Sequence, residues 1–168
     1  IELDALYNME LKGLKEQVRD LFLIGCYTGQ RFSDYSAITK DCVGTTAKGV
    51  PVLRLTQVKT GQNVVIPILN DKLVSLLEKY DYTVPEVVDV VFNRYIKDIC
   101  KRLSESVPTL AALVPTLLTK TEREAEKRGT MTFERDSKGR AIKPRYQLVM
   151  SHTARRTCIT LMHLSGKY

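Results

Sequence analysis

Three places in the chain put a cation where a purely structural role is awkward. Arg31 follows Thr28-Gly29-Gln30, a glycine turn at the junction of two helical patterns. Lys59 lies in Lys59-Thr60-Gly61-Gln62, the tip of an expected hairpin. His152 and Arg155 sit one helical turn apart at the start of an expected helix, with Arg156 beside them. These residue types suit an oxyanion such as phosphate. Arginine presents a planar fork that donates two parallel hydrogen bonds, lysine is a point charge that can also release a proton, and histidine can position a group or shuttle a proton. Taken singly, each is better read as a surface ion pair.

The elements that would position these residues follow from periodicity and punctuation. The spacing of Leu14, Val18, Leu21, Phe22 and Gly25 predicts a helix over 11–28 that ends at Gly29. Ser33 is placed to cap a short helix running to Ile38, with Arg31 just outside it. Period-two runs predict strands at 52–55 and 64–68, with a third near Cys42-Val43; Pro67 puts the last of the hairpin at an edge. Asn70 is a good cap for a helix over 71–80 that buries Leu73, Leu76, Leu77 and Tyr80. A helix over 87–103 is expected to turn Val88, Val91, Tyr95, Ile99 and Leu103 inward. Residues 108–127 read as partly helical, broken at Pro115. Thr132–Glu134 and Tyr146–Leu148 read as strands around a turn at Asp136-Ser137-Lys138-Gly139. Ser151-His152-Thr153 opens a last helix, which Leu161, Met162 and Leu164 would help to bury. The expected class is mainly α with a small antiparallel sheet, α+β.

The 168 residues suffice for one domain with a real core. With 43% hydrophobic and 27% charged residues the chain reads as globular rather than disordered. No apolar run spans a bilayer and no signal-peptide pattern opens the chain. The 26 basic and 19 acidic residues leave a net +7, which favours a polyanionic partner, nucleic acid before an anionic membrane surface. Residues 120–145 hold nine basic and five acidic side chains, so this segment is a candidate contact to nucleic acid or a solvated flap. Cys26, Cys42, Cys100 and Cys158 lack CxxC spacing and read as free thiols. His152 and His163 on one helix would lie roughly 16 Å apart, too far to share a zinc ion.

Taken in order, the boxes resemble one family. Thr28-Gly29-Gln30-Arg31-Phe32-Ser33-Asp34-Tyr35 resembles the T-G-x-R-x-S-[DE] box of tyrosine recombinases. Val58-Lys59-Thr60-Gly61 with Val65-Ile66-Pro67-Ile68 resembles their lysine-bearing hairpin, and Ser151-His152-Thr153-Ala154-Arg155-Arg156-Thr157 their H-x-x-R box. Asn93–Cys100 and the last box are also similar to integrases of phages and of mobile elements in Bacteroidetes-type bacteria. The resemblance implies the catalytic-domain fold of that family over 1–168 and site-specific recombination of double-stranded DNA through a 3′-phosphotyrosine link. It further implies a synaptic tetramer of protomers on DNA in the bacterial cytoplasm, with no membrane partner. By the resemblance Arg31 and Arg155 grip the scissile phosphate and stabilise the charge of the phosphorane-like transition state. Lys59 protonates the leaving 5′ oxygen, and His152 positions the phosphate. No metal or cofactor is implied, because the guanidinium groups neutralise the charge. Asp34 either orients Arg31 or serves only as an acid in a first helical turn. Lys138, Arg140, Lys143, Arg145 and Arg156 are the candidate DNA contacts.

The family pattern is departed from at both ends. The family places a further His or Trp and the nucleophilic tyrosine beyond the H-x-x-R helix, and an additional DNA-clamping domain before the catalytic one. This chain ends 13 residues after Arg155. Tyr168 is therefore wrongly placed for the nucleophile, and the expectation is a catalytic domain incomplete at its C-terminus. Two alternatives remain: a non-catalytic DNA-binding or regulatory module, and a helical interaction module with accidental boxes. The last predicts that Arg31, Lys59, His152 and Arg155 do not converge.

Overall fold

A computed structural model describes residues 2–166; Tyr168 lies outside them. The chain is α+β, with seven helices and two small antiparallel sheets among the described residues. No described helix is long and apolar enough to cross a membrane.

The fold is organised around one buried helix. Helix α1 (Glu2–Asn8) leads through Gly13 into α2 (Leu14–Thr28), which is buried from Val18 to Cys26. A helix buried on nearly all sides needs neighbours on nearly all sides. They are α1, α3 (Phe32–Tyr35), α4 (Asp71–Lys79), α5 (Asp89–Leu103) and α7 (Ser151–Ser165). Leu14 at the start of α2 is exposed, so the expected apolar stripe begins only at Val18.

The three-stranded sheet has the order β1 (Val43–Thr45), β2 (Pro51–Thr56), β3 (Asn63–Pro67). Leu53 pairs with Ile66 and Leu55 with Val64, and Pro67 lies on an edge strand, where a missing N–H does no harm. Asn70 caps α4 as expected, accepting from Lys72 N at 2.9 Å and Leu73 N at 3.3 Å.

Several expectations need correction. Helix α3 does not start on a Ser33 cap or reach Ile38. Arg31 occupies the cap position with extended backbone, its carbonyl accepting from Asp34 N and Tyr35 N, both at 2.9 Å. Ile99 and Leu103 of α5 are buried as expected, but Phe92, Ile96 and Cys100 complete the face in place of Val88, Val91 and Tyr95. Val88 precedes the helix, exposed. Tyr95 stays at the rim, where Arg94 and Lys15 cover its ring at 5.0 and 5.9 Å. Thr132–Glu134 forms no strand, and Tyr146–Leu148 falls in a 3-10 turn that begins after Pro144. The second sheet instead pairs β4 (Leu113–Pro115) with β5 (Ile142–Pro144), two edge strands that tolerate their prolines. Helix α6 (Lys120–Lys127) follows β4 under a Thr119–Glu122 capping box. Finally, Leu161, Met162 and Leu164 are exposed, and α7 is buried only through Ala154 and Cys158.

A polar network inside the helical layer joins α1, α2 and α4. Asp20 is fully buried and accepts from Arg19 Nε, from Lys79 Nζ at 2.7 Å and from Tyr80 Oη at 2.7 Å. Arg19 in turn donates through Nη1 to the carbonyls of Tyr7 (2.7 Å) and Met9 (2.9 Å), closing the end of α1. Burial and the bond to Asp20 push the Tyr80 hydroxyl above its ordinary pKa. For Lys79, burial works downward, but the Asp20 and Glu16 carboxylates outweigh it and hold the ammonium above its ordinary value. Removing the shared acceptor leaves the buried Arg19 guanidinium with main-chain carbonyls and a Glu16 contact at 3.8 Å, and Lys79 with Glu16 alone, whereas removing Lys79 leaves Asp20 still bonded to Arg19 and Tyr80. Asp20→Ala is therefore expected to cost about 3–5 kcal/mol in urea unfolding, and Lys79→Met no more than about 1 kcal/mol. Equal losses in the two variants would contradict the central place given to Asp20.

Candidate functional site

Helix α2 ends where the candidate site begins. Gly29 adopts the left-handed conformation (φ 67°), and its N–H donates to Gly25 O at 3.0 Å. The reversal delivers Gln30 and Arg31 directly ahead of α3.

The hairpin after β2 is latched onto the same spot. Gln57 N donates to Gln62 O, and Gly61 N to Gln57 O, each at 2.8 Å, which closes the turn that carries Lys59. Val58 N donates to Asp34 Oδ1 at 2.9 Å. The Gln57 side chain accepts from Arg31 Nη1 at 3.2 Å. Asp34 Oδ2 lies 3.9 Å from Arg31 Nη1 and has no hydrogen-bond partner of its own. Arg31 is thus held from behind through Nη1. Its Nε and Nη2, one edge of the fork, have no partner among the described residues, and the side chain is 33% exposed.

The start of α7 docks against this junction. Ser151 N donates to Asn93 Oδ1 of α5 at 2.7 Å, and Tyr35 Oη to Ser151 O at 3.3 Å. A Cβ placed on Gly25 would stand 2.7 Å from the Tyr35 ring and 3.0 Å from Ala154 Cβ, and one on Gly29 would stand 2.9 Å from Cys158 Sγ. Burial pushes the Cys158 thiol up, with the Arg155 charge opposing. Ser151, Arg155 and Cys158 share one helical face by their spacing of four and three, so Arg155 is presented to the end of α2. Its Nη1 is buried with no hydrogen-bond partner. An unmade bond to such a donor costs about 1–3 kcal/mol, which an incoming acceptor recovers.

The structure therefore brings the Arg31 box, the Lys59 hairpin and the H-x-x-R helix together at one junction. Lys59 and His152 are exposed and have no side-chain partner among the described residues. Arg156, one residue beyond Arg155, turns to the other flank of α7 and lines a groove with Arg145, Phe22 and Leu103. His152 falls between the two arginines on the helix.

The segment expected as a flap is internally tied. Lys143 is buried, bonded to Glu122, and lies 5.2 Å from the Phe133 ring. Burial raises the Glu122 carboxyl, but Lys143 and the Thr119 cap outweigh it, so its pKa falls below the ordinary value. Arg145 donates to both Glu2 oxygens at 2.7 and 3.0 Å, and Arg140 to Asp136 at 2.8 Å. Three of the five candidate DNA contacts are thus neutralised by acids, and the side chains of Lys138 and Arg156 have no acid partner among the described residues. Among the described residues no group of three or more His, Cys, Asp or Glu could hold a metal ion.

Gln57 was not singled out in the sequence, although it carries a signal. Leu53 and Leu55 point inward at period two, and Gln57 continues that register with a buried amide. A polar residue at an inward position calls for a partner. Comparisons with protein families, curated proteins and solved structures return no match for this chain.

The close approach of α2 and α7 generates a test. Gly25→Ala is expected to cost about 1–3 kcal/mol by overpacking, and to speed labelling of Cys158 by a thiol reagent as α7 is pushed off α2. Unchanged labelling together with unchanged stability would show that the contact is looser than described.

Proposed function

We propose that this chain is the phosphate-gripping core of a tyrosine-recombinase-type enzyme that breaks and rejoins double-stranded DNA. The observation that carries this reading is the junction of two arginines from distant boxes, each with donors left over. Among the described residues Arg31 has no partner for Nε and Nη2 while its other nitrogen is anchored, and Arg155, on the helix that docks against the same junction, has a buried Nη1 without one. Buried donors without acceptors are rare in folded proteins and are expected where a ligand completes them. A tetrahedral phosphate offers non-bridging oxygens to both.

In this reading the recombinase catalytic fold is the architecture, and the roles follow from chemistry. Arg31 and Arg155 stabilise the extra charge that develops when an alcohol oxygen attacks phosphorus. Lys59, on an exposed turn adjoining Arg31, protonates the leaving 5′ oxygen. His152, at the exposed start of α7, helps to seat the phosphate. Asp34 ties down the base of the Lys59 hairpin through Val58 N and sets a carboxylate charge 3.9 Å from the Arg31 guanidinium. Lys138 and Arg156 remain available to the DNA backbone.

The decisive measurement traps a 3′-phosphotyrosine adduct on a nicked suicide duplex, with the tyrosine nucleophile supplied in cis or in trans. Arg31→Ala or Arg155→Ala is expected to slow adduct formation about 10²–10³-fold, the cost of removing one oxyanion donor. Duplex binding is expected to weaken steeply with salt, and each of these substitutions to lower the log–log slope by about 1. An undiminished rate in Arg155→Ala, or binding independent of salt, would overturn the proposal.

A further inference from the structure

We infer that Gln57 is a positioning residue that couples the Arg31 guanidinium to the turn carrying Lys59, so that one buried amide sets both cations against the same anion. The inference rests on the phosphate-gripping role proposed above. Gln57 is 8% exposed although its side chain is polar throughout. Its main chain closes the turn through Gln62 and Gly61, and its side chain leaves the hairpin for the junction with α3. Arginine offers donors only, so the atom that faces Arg31 must be the amide oxygen, and the orientation of the amide is decided.

That oxygen serves two donors at once, Arg31 Nη1 at 3.2 Å and Thr60 Oγ1 at 2.9 Å. Nε2 donates to Gln30 Oε1 at 2.9 Å. Thr60 is the neighbour of Lys59, and Gln30 the neighbour of Arg31. A single amide thus touches the residue beside each cation as well as Arg31 itself. The Asp34–Val58 bond also ties the hairpin to α3, but Asp34 stands 3.9 Å from Arg31. When an anion draws on Arg31, the shared oxygen must follow the guanidinium or release it, and Thr60 responds in either case.

The test is NMR on the full chain. With Gln57 present, Arg31→Met is expected to shift the Thr60 and Gly61 amides and to speed Gly61 hydrogen exchange roughly three- to tenfold by local opening. In a Gln57→Met background the same substitution leaves both unchanged, a non-additive cycle. Gln57→Glu keeps the acceptor and restores the coupling. Thr60→Val, on the exposed turn, removes the second donor without touching the core and serves if Gln57→Met unfolds. Equal effects of Arg31→Met in both backgrounds overturn the coupling, whatever phosphate does. Titration with inorganic phosphate then asks whether the coupling is used. Arg31 Nε–H and the Thr60 and Gly61 amides are expected to move with one half-saturation in the wild type, and only Arg31 to respond in Gln57→Met. A hairpin that follows phosphate equally in Gln57→Met overturns the relay. If Arg31 is silent to phosphate while the cycle stays non-additive, the phosphate grip fails, and with it the role given to Gln57.

Discussion

The contact between the end of α2 and the start of α7 leaves no room for a side chain at Gly25, where a methyl carbon would collide with Tyr35 and Ala154. The positions of the candidate residues depend on this contact. It fixes how far the H-x-x-R helix can slide along α2 and therefore where Arg155 is presented. Gly29 serves the same interface twice. Its left-handed backbone ends α2 and turns the chain into Arg31, and its missing side chain admits Cys158. Two glycines, an alanine and a cysteine make the approach close; Tyr35 then pins it by reaching across to the Ser151 carbonyl. Small residues at this contact bring the end of α2, which leads into Arg31, against the helix that carries Arg155.

The polar contacts at the junction divide into two kinds. Those behind Arg31 are saturated or nearly so: Gln57 uses both lone pairs of its oxygen, and Asp34 Oδ1 takes the Val58 amide. Those facing outward are open. Asp34 Oδ2 and Arg155 Nη1 are the buried side-chain atoms without a partner among the described residues, and both lie at this junction. Elsewhere in the helical layer an equally buried carboxylate, Asp20, is fully bonded. The chain satisfies Asp20 where it ties the helical layer together and leaves one carboxylate oxygen and one guanidinium nitrogen open among the residues of the boxes.

Much of this was legible in the sequence, for physical reasons that also explain the failures. Helices α2 and α4 could be read because their ends carry explicit chemistry, Gly29 in one case and Asn70 in the other. The hairpin could be read because two short apolar runs, Val52-Leu53-Arg54-Leu55 and Val64-Val65-Ile66, flank a Gly turn. The inward face of α5 could be read only in part, because Val88, Val91 and Tyr95 are as apolar as the stripe that is buried, and only α2 decides between faces lying about 100° apart. The apolar end of α7 misled for a similar reason: periodicity states that a face is apolar, not that a neighbour covers it. The three cationic boxes were visible as boxes. Their joining through Gln57 was not, since period two with Leu53 and Leu55 can mark Gln57 as inward but cannot say which distant residue its amide meets.

Charge was the least local of the sequence signals, and the structure refines it most. The segment 120–145 contributes a net +4 to the total of +7, which made it the natural candidate for a polyanion. Five of its nine cations are paired with acids. Lys143 holds Glu122, Arg145 holds Glu2 on the far side of the chain, and Arg140 closes its own turn on Asp136. A cation already paired with an acid has shed much of the field that would attract a phosphate, and it must surrender its partner before it can bind one. At the α2–α7 junction the balance runs the other way. Asp34 offsets only part of the charge of Arg31, while Arg155, Lys59 and His152 have no acid in contact among the described residues. Lys120, Arg123, Lys127 and Lys138 of the basic segment also have no acid in contact among the described residues, but they share that segment with five acids, whereas Asp34 is the one acid in contact with the cations of the three short boxes. The junction of those boxes is where a phosphate would encounter the least competition from the protein's own carboxylates.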